Sequence, residues 1–263
     1  MKLEFVNPGV DYTIKNILEF QAEDVADFWS EPLFYFYPQL DKKYAESLPM
    51  KEKTKYIEKC LRAEYPKIKD TIEQKIPLYT EYWTKCEKQI ADALSETFEI
   101  DCSTLFDDMK CNVTMNPVCP RFLKEQSFDI FYLNSAKGAI GMALHEIIHF
   151  VWFHVWNELF GDSYDEYETP SLKWIFSEMV VESIMRDERL SSINPYFPRE
   201  NGGCIYSYFF DMKANGKNVL QILDDMYNKK SIRDFMRDGY AYCLANEEEI
   251  RKHISIAEKE GHK

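Results

Sequence analysis

His145-Glu146-Ile147-Ile148-His149 is the stretch on which the reading of this chain turns. Each residue of an α-helix advances about 100°, so side chains four apart lie one turn above each other on one face. In a helix, therefore, both imidazoles aim at a common place and Glu146 projects beside them. Two ring nitrogens so placed suit a divalent metal, and the neighbouring carboxylate suits a general base. Asn134 or Ser135 can cap such a helix, and Gly161 can stop it after about Phe160. Ile140, Met142, Ala143 and Leu144 precede the motif, and Phe150, Val151 and Trp152 follow it. Glu146 is the only acidic or strongly basic residue between Ala139 and Val155. A helix this apolar is buried nearly all round, so its histidines and glutamate need partners, which a metal with a bound water would supply. His154 falls on the opposite side of the helix from His145 and reads as a core or partly exposed histidine.

A catalytic zinc site needs a third protein ligand and an open position. Thr169-Pro170-Ser171 opens the next strong helical segment, predicted over Leu172 to about Leu190 with Thr169 as cap. Glu178 and Glu182, four apart, share a face with Trp174 and Met185, among Ile175, Phe176, Met179, Val180, Val181 and Ile184. Two carboxylates on a buried face are costly unless they bind something. Glu178 as third ligand, with Glu182 turned to the other ring nitrogen of a ligating histidine, satisfies both. The alternative is a plain amphipathic helix in which Glu182 pairs with Arg186. Asp162 and Asp165 follow Gly161, and Asp165 is the rival third ligand.

With Glu178-Met179-Val180-Val181-Glu182 about 30 residues after the His-Glu-x-x-His stretch, the segment from Ala143 to Asp187 resembles the zincin metallopeptidases. Within them it is most similar to the glutamate-ligand branch, the gluzincins. The resemblance implies zinc held by His145, His149 and Glu178, Glu146 as general base, and Glu182 orienting a histidine where better-known members carry aspartate. Another branch needs a glycine and a third histidine where this chain has Trp152 and Val155. Members of the glutamate branch often stabilise the oxyanion with a tyrosine or histidine from the C-terminal half. Tyr206, Tyr208, Tyr240, Tyr242 and His253 are the candidates here, and Tyr240 is carried forward as a catalytic residue.

Before the metal helix, Lys110 to Met115 alternates polar and apolar, and Ser127 to Leu133 is aromatic and β-branched, so both read as strands. Asn116-Pro117 and Cys119-Pro120-Arg121 separate them. Peptidase substrates commonly add to an edge strand, which this segment can supply; Arg121 reads as a surface arginine ahead of the alternative that it meets a substrate carboxylate. Helices are predicted over Asp11 to Trp29, over Pro49 to Ala63 behind a Ser47 cap, and over Pro77 to Phe98. Leu33-Phe34-Tyr35-Phe36-Tyr37-Pro38 is too short to span a membrane and reads as core ahead of cleft lining. Ser192 to Gly203 reads as a loop, and two or three helices follow from Asn218 to about Glu260. The expected fold is α+β and predominantly helical, a zincin-like core with a small mixed or antiparallel sheet and a mostly helical C-terminal part. The stretches 1–108 (helical), 109–200 (catalytic core) and 201–263 (helical) are expected to form one compact unit with two lobes.

A net charge of −13 argues against nucleic-acid binding, which needs basic clusters on phosphates. Aromatics at 15% with only nine glycines favour helices over a β-rich fold. Seven cysteines, an odd number without a Cys-x-x-Cys pair, and an opening Met1-Lys2-Leu3-Glu4 without an apolar run point to a reduced, cytoplasmic protein away from membranes. The sequence therefore leads to a zinc-dependent peptidase acting on a peptide or protein. Its alternatives are a metal-binding regulatory or sensor protein on the same fold and a metal-free helical interaction protein.

Overall fold

The computed structural model describes residues 1–23, 25–194 and 203–260. The chain is mostly helical with two small sheets, an α+β architecture. It forms two compact units that cut across the three consecutive stretches expected from sequence. The first comprises Met1–Lys2, Thr84–Asp107 and Gly141–Ala257; the second comprises Leu3–Trp83, Asp108–Ile140 and the described residues from Glu258 onward. The departure has a simple cause: the chain start pairs as a strand with residues more than a hundred positions away, which no local pattern announces.

In the second unit, β1 (Leu3–Val6), β2 (Met109–Thr114), β3 (Arg121–Phe122) and β4 (Ser127–Phe131) form one sheet in the order β1-β2-β4-β3. The first three of these neighbours run parallel, and β3 lies antiparallel on the edge beside β4. Leu3 and Phe5 alternate inward along β1, as a half-buried strand requires. Along β2 the alternation misleads, because Asn112 and Thr114 are buried as fully as Cys111 and Val113. A carboxylate explains it. Asp129 on β4 is buried and accepts hydrogen bonds from Tyr12 Oη at 2.8 Å, Asn112 Nδ2 at 3.0 Å and Asn16 Nδ2 at 3.3 Å. Tyr12 and Asn16 come from α1 (Val10–Glu19), so that helix carries the polar groups that satisfy this side of the sheet.

The helix expected over Asp11 to Trp29 stops at Glu19, and α2 (Asp27–Phe36) restarts it. Of the aromatic run, Leu33 and Tyr37 are core, and Tyr37 Oη donates to the Met115 carbonyl at 2.6 Å. Tyr35 and Phe36 are exposed, contrary to the core reading. After α3 (Lys42–Ser47), a single helix α4 (Met50–Phe98) replaces the two expected ones and runs through Pro66 and Pro77. Interior proline costs about 3 kcal/mol. The buried stripe Ile57, Leu61, Tyr65, Ile68, Ile72, Tyr79, Trp83 spans both prolines without a break in helical spacing, and its burial offsets that cost. Tyr79 also donates to the carbonyls of Tyr132 (3.2 Å) and Asn134 (2.8 Å), just ahead of the helix that carries the two histidines.

That helix, α5 (Ala136–Phe160), begins and ends where its caps predict. The Ser135 hydroxyl accepts from the Gly138 amide at 3.0 Å, and Gly161 leaves the helix at φ 67°. Its length and composition would suffice to cross a membrane, but 78% of its most apolar window is buried within the fold, as in a core helix.

Within the first unit, a 3-10 turn (Tyr164–Tyr167) leads to α6 (Leu172–Arg186) and the short α7 (Glu188–Ser191). Ser171 caps α6 by accepting from the Trp174 amide at 3.0 Å, so the expected cap at Thr169 moves two residues on. Most of the loop expected over Ser192 to Gly203 lies outside the described residues. A hairpin of β5 (Lys213–Ala214) and β6 (Lys217–Asn218) precedes α8 (Val219–Tyr227), α9 (Ile232–Ala245) and α10 (Glu247–Glu260). Trp152 and Trp156 of α5 pack edge-on against Phe176 of α6 at 5.3 and 6.1 Å, and Phe176 lies 5.8 Å from Phe235 of α9. Gly239 lets α9 come close: a Cβ there would fall 2.7 Å from Phe176 Cζ.

Candidate metal centre

Helix α5 holds His145 and His149 one turn apart, and α6 brings Glu178 to them. His145 Nε2 and His149 Nε2 are 3.2 Å apart. Glu178 reaches both, with Oε1 3.5 Å from His149 Nε2 and Oε2 3.9 Å from His145 Nε2. Among the described residues these three form a group of potential ligands whose donor atoms lie within 4.8 Å of one another, and all three are buried. A tetrahedral ion with ligands at roughly 2.0–2.1 Å requires donor atoms about 3.3–3.4 Å apart. The observed separations of 3.2, 3.5 and 3.9 Å bracket that value. A buried carboxylate facing two imidazoles also gives a cation the charge it needs. The residues fit a metal ion.

Glu146 stands just outside this group, its Oε1 3.9 Å from His145 Nε2, and it is buried. Glu182 is buried one turn beyond Glu178. Arg186, its sequence-level alternative partner, instead pairs with Asp224 of α8 at 2.6 Å, and Ser183 bonds the same carboxylate. Cys204 lies within electrostatic reach of the pair: burial first, then the charges of Glu182 and Glu178, push its thiol pKa far up. No local pattern in the sequence links Cys204 to this place.

The rival aspartates go elsewhere. Asp162 bonds Lys173 at 2.7 Å and accepts from Trp156 Nε1 at 2.8 Å, which holds its carboxyl below the usual range against the opposing pull of burial. Asp165 is exposed in the first turn of the 3-10 segment. His154 is partly exposed, 3.7 Å from Glu158 and edge-on to Phe106.

The oxyanion candidates are scattered. Tyr240 packs its ring on Trp156 (5.0 Å), Phe160 (6.5 Å) and Phe176 (6.2 Å). Burial is the main cause that raises its hydroxyl pKa, with smaller influences from Lys173, Glu247, Asp162 and Cys243. Tyr240 is half-buried, its ring set against the aromatic side chains of α5 and α6. His253 Nε2 donates to the Tyr208 carbonyl at 2.7 Å. Tyr206 lies parallel to Tyr208 at 5.5 Å and against Trp174 at 5.9 Å, one turn before Glu178. Arg121 and the edge strand β3 belong to the other unit.

Asn194 is a residue that sequence reading passed over. It is buried, and its carboxamide Oδ1 lies 3.4 Å from where a Cβ of Gly141 would stand, one turn before His145. No family model, no curated protein and no solved structure matches this chain.

Proposed function

We propose that this protein is a zinc-dependent peptidase of the gluzincin kind, with His145, His149 and Glu178 as ligands. The observation that supports it is the convergence of those three donors from two helices, with a second carboxylate, Glu146, beside the cluster and not in it. Zinc held there would act as a Lewis acid and bring the pKa of a bound water to about 7. Glu146 would serve as the general base of such a site, accepting a proton from the attacking water and giving one to the leaving amine. Glu178 contributes the negative charge that balances the site. Among the described residues, Nδ1 of His145 and of His149, the outer nitrogen of each ligating ring, has no hydrogen-bond partner, so the expected orientation of a ring by Glu182 is not part of this reading. The surrounding Ile147, Ile148, Val181 and Met179 keep bulk water out, which strengthens each charge interaction inside. The zincin-like core, the peptide or protein substrate and a cytoplasmic setting belong to the same proposal. No disulfide joins the cysteines of the described residues, in keeping with that setting.

Metal content measured by mass spectrometry on wild type and Glu178→Ala, followed by a peptide-library screen, tests the reading. About one zinc per wild-type chain, a sharp fall in the variant, and cleavage by wild type alone are expected. A wild type that takes up no zinc when it is supplied would end the proposal. The second reading, a metal-holding regulatory protein, draws on the burial of all five site residues, His145, Glu146, His149, Glu178 and Glu182. Stoichiometric zinc without cleavage of any library peptide would favour it.

A further inference from the structure

Within the first unit, the end of α4, the corner between α6 and α7 and the turn from α8 to α9 border a cleft of about 330 Å³, at the small end of the range for small-molecule sites. The cations that line it are already matched. Arg189 bonds Asp187 through Nε at 2.9 Å and pairs with the same carboxylate through Nη2, and Lys230 pairs with Asp238 at 2.7 Å. The carboxylates that α4 brings to the cleft are not matched. Glu96 and Glu99 are exposed there, and neither makes a hydrogen bond or an ion pair with a described residue. Only at longer range does the charge of Glu96 act on Arg189. Between the two glutamates, Thr97 also lines the cleft; it is 5% exposed, and its Oγ1 has no hydrogen-bond partner. Elsewhere on α4, the hydroxyls of Thr54, Thr80 and Ser95 return to the carbonyl four residues back, at 2.9, 2.9 and 2.7 Å. Thr97 does not, and a buried hydroxyl left without a partner calls for a cause.

We infer that this cleft binds a small aliphatic diamine, its two ammonium groups held by Glu96 and Glu99 and one of them also by the Thr97 hydroxyl. An ammonium group donates three hydrogen bonds and accepts none, so carboxylate and hydroxyl oxygens are what it requires. An anion fits worse, because Arg189 and Lys230 are matched by Asp187 and Asp238 while two uncompensated glutamates would repel it. A metal ion fits worse too. Among the described residues, no three Asp, Glu, His or Cys side chains of this cleft bring their donor atoms within 4.8 Å of one another. The carboxamide of Asn228, which makes no hydrogen bond to a described residue, adds a neutral acceptor at the rim. Ile232 and the ring of Tyr227 border the space left for the carbon chain. A net charge of −13 raises the local concentration of such a cation. None of these residues belongs to the His145, His149 and Glu178 group, so binding here does not rest on the peptidase reading.

Isothermal titration of the full chain with 1,4-diaminobutane tests this, with butylamine and 1,4-butanediol as probes that lack one or both charges. Wild type should take up about one diamine per chain, bind it about tenfold more tightly than butylamine, and show no saturable binding of the diol. Glu96→Gln combined with Glu99→Gln should weaken diamine binding by about tenfold or more. Thr97→Val keeps the shape and removes the hydroxyl, and it should weaken binding several-fold at an unchanged melting temperature. Glu23→Gln combined with Glu248→Gln removes the same charge at two exposed positions outside the cleft and should leave affinity as in wild type. No saturable binding by wild type, an equal affinity for butylamine, or an equal loss in both double variants would overturn the inference. So would wild-type affinity in the Glu96 and Glu99 double variant or in Thr97→Val.

Discussion

Glu146 and Glu178 are both buried carboxylates near His145, each 3.9 Å from its Nε2, yet only Glu178 also reaches His149. On the proposed function that difference makes Glu178 the ligand and Glu146 the base, and it makes their substitutions separable. Glu146→Gln should retain wild-type zinc content and lose roughly 10²–10⁴-fold in peptide hydrolysis, the usual range for a general base. Loss of zinc in that variant would show that the carboxylate binds the metal. Asp129 carries a different prediction. Burial pushes its pKa up to about 6 from an ordinary 3.8, against the pull of hydrogen bonds from Tyr12, Asn112 and Asn16. The folded state therefore holds the proton more tightly than the unfolded one. Its stabilising contribution is complete below about pH 3.8 and is lost as pH rises through about 6, at up to about 1.4 kcal/mol per pH unit. Urea denaturation of wild type and Asp129→Asn at pH 4.5, 6 and 7.5 should show the variant gaining on wild type as pH rises. A constant gap between them would mean that Asp129 does not titrate in this window.

At the scale of elements, the placement of α6 decides whether Glu178 arrives at the histidines, and α9 helps to set it. Gly239→Ala would bring a Cβ within 2.7 Å of Phe176 Cζ, two residues before Glu178. We expect a stability loss of about 1–3 kcal/mol by chemical denaturation, accompanied by weaker zinc binding. Unchanged values of both would show that the two helices have slack. Helices α5 and α6 were legible because apolar composition and terminal chemistry agreed: Ser135 and Gly161 bound α5, and the Thr169-Pro170-Ser171 run announced α6 to within two residues. Helix α4 was legible only in halves. Local proline chemistry argues for a stop at Pro66 and Pro77, and the buried stripe that overrides it gains its value only from what it packs against. The exposure of Tyr35 and Phe36 and the burial of Asn112 are errors of the same origin, since burial depends on neighbours far away in sequence.

For the molecule as a whole, a metal bound only by the folded state adds to its stability by mass action, about 4 kcal/mol at a thousandfold excess over the dissociation constant. At this chain length each kcal/mol moves the melting temperature by about 2–4 °C. Chelation should therefore lower it by roughly 10 °C. Amide hydrogen exchange should quicken in α5 and α6, whose side chains would hold the metal, and much less in β1, β2 and β4 of the other unit. An unchanged melting temperature would mean that the metal contributes nothing to folding. On the proposed function, the strong net negative charge does not help to choose between peptide substrates.

The sequence by itself determined the helix that carries His145 and His149, its caps and its buried character, because periodicity and end chemistry act within a few residues. It also singled out His145, Glu146, His149 and Glu178, because helical spacing places groups four apart on one face. Tertiary structure alone decided that Glu178 meets the histidines and that the aspartates do not. It decided too that β1 pairs with β2, that Asp129 is buried under α1, and that Asn194 stands over Gly141. Each of these joins residues distant along the chain, and the free energy that selects them lies in packing and desolvation, which no local window of sequence contains.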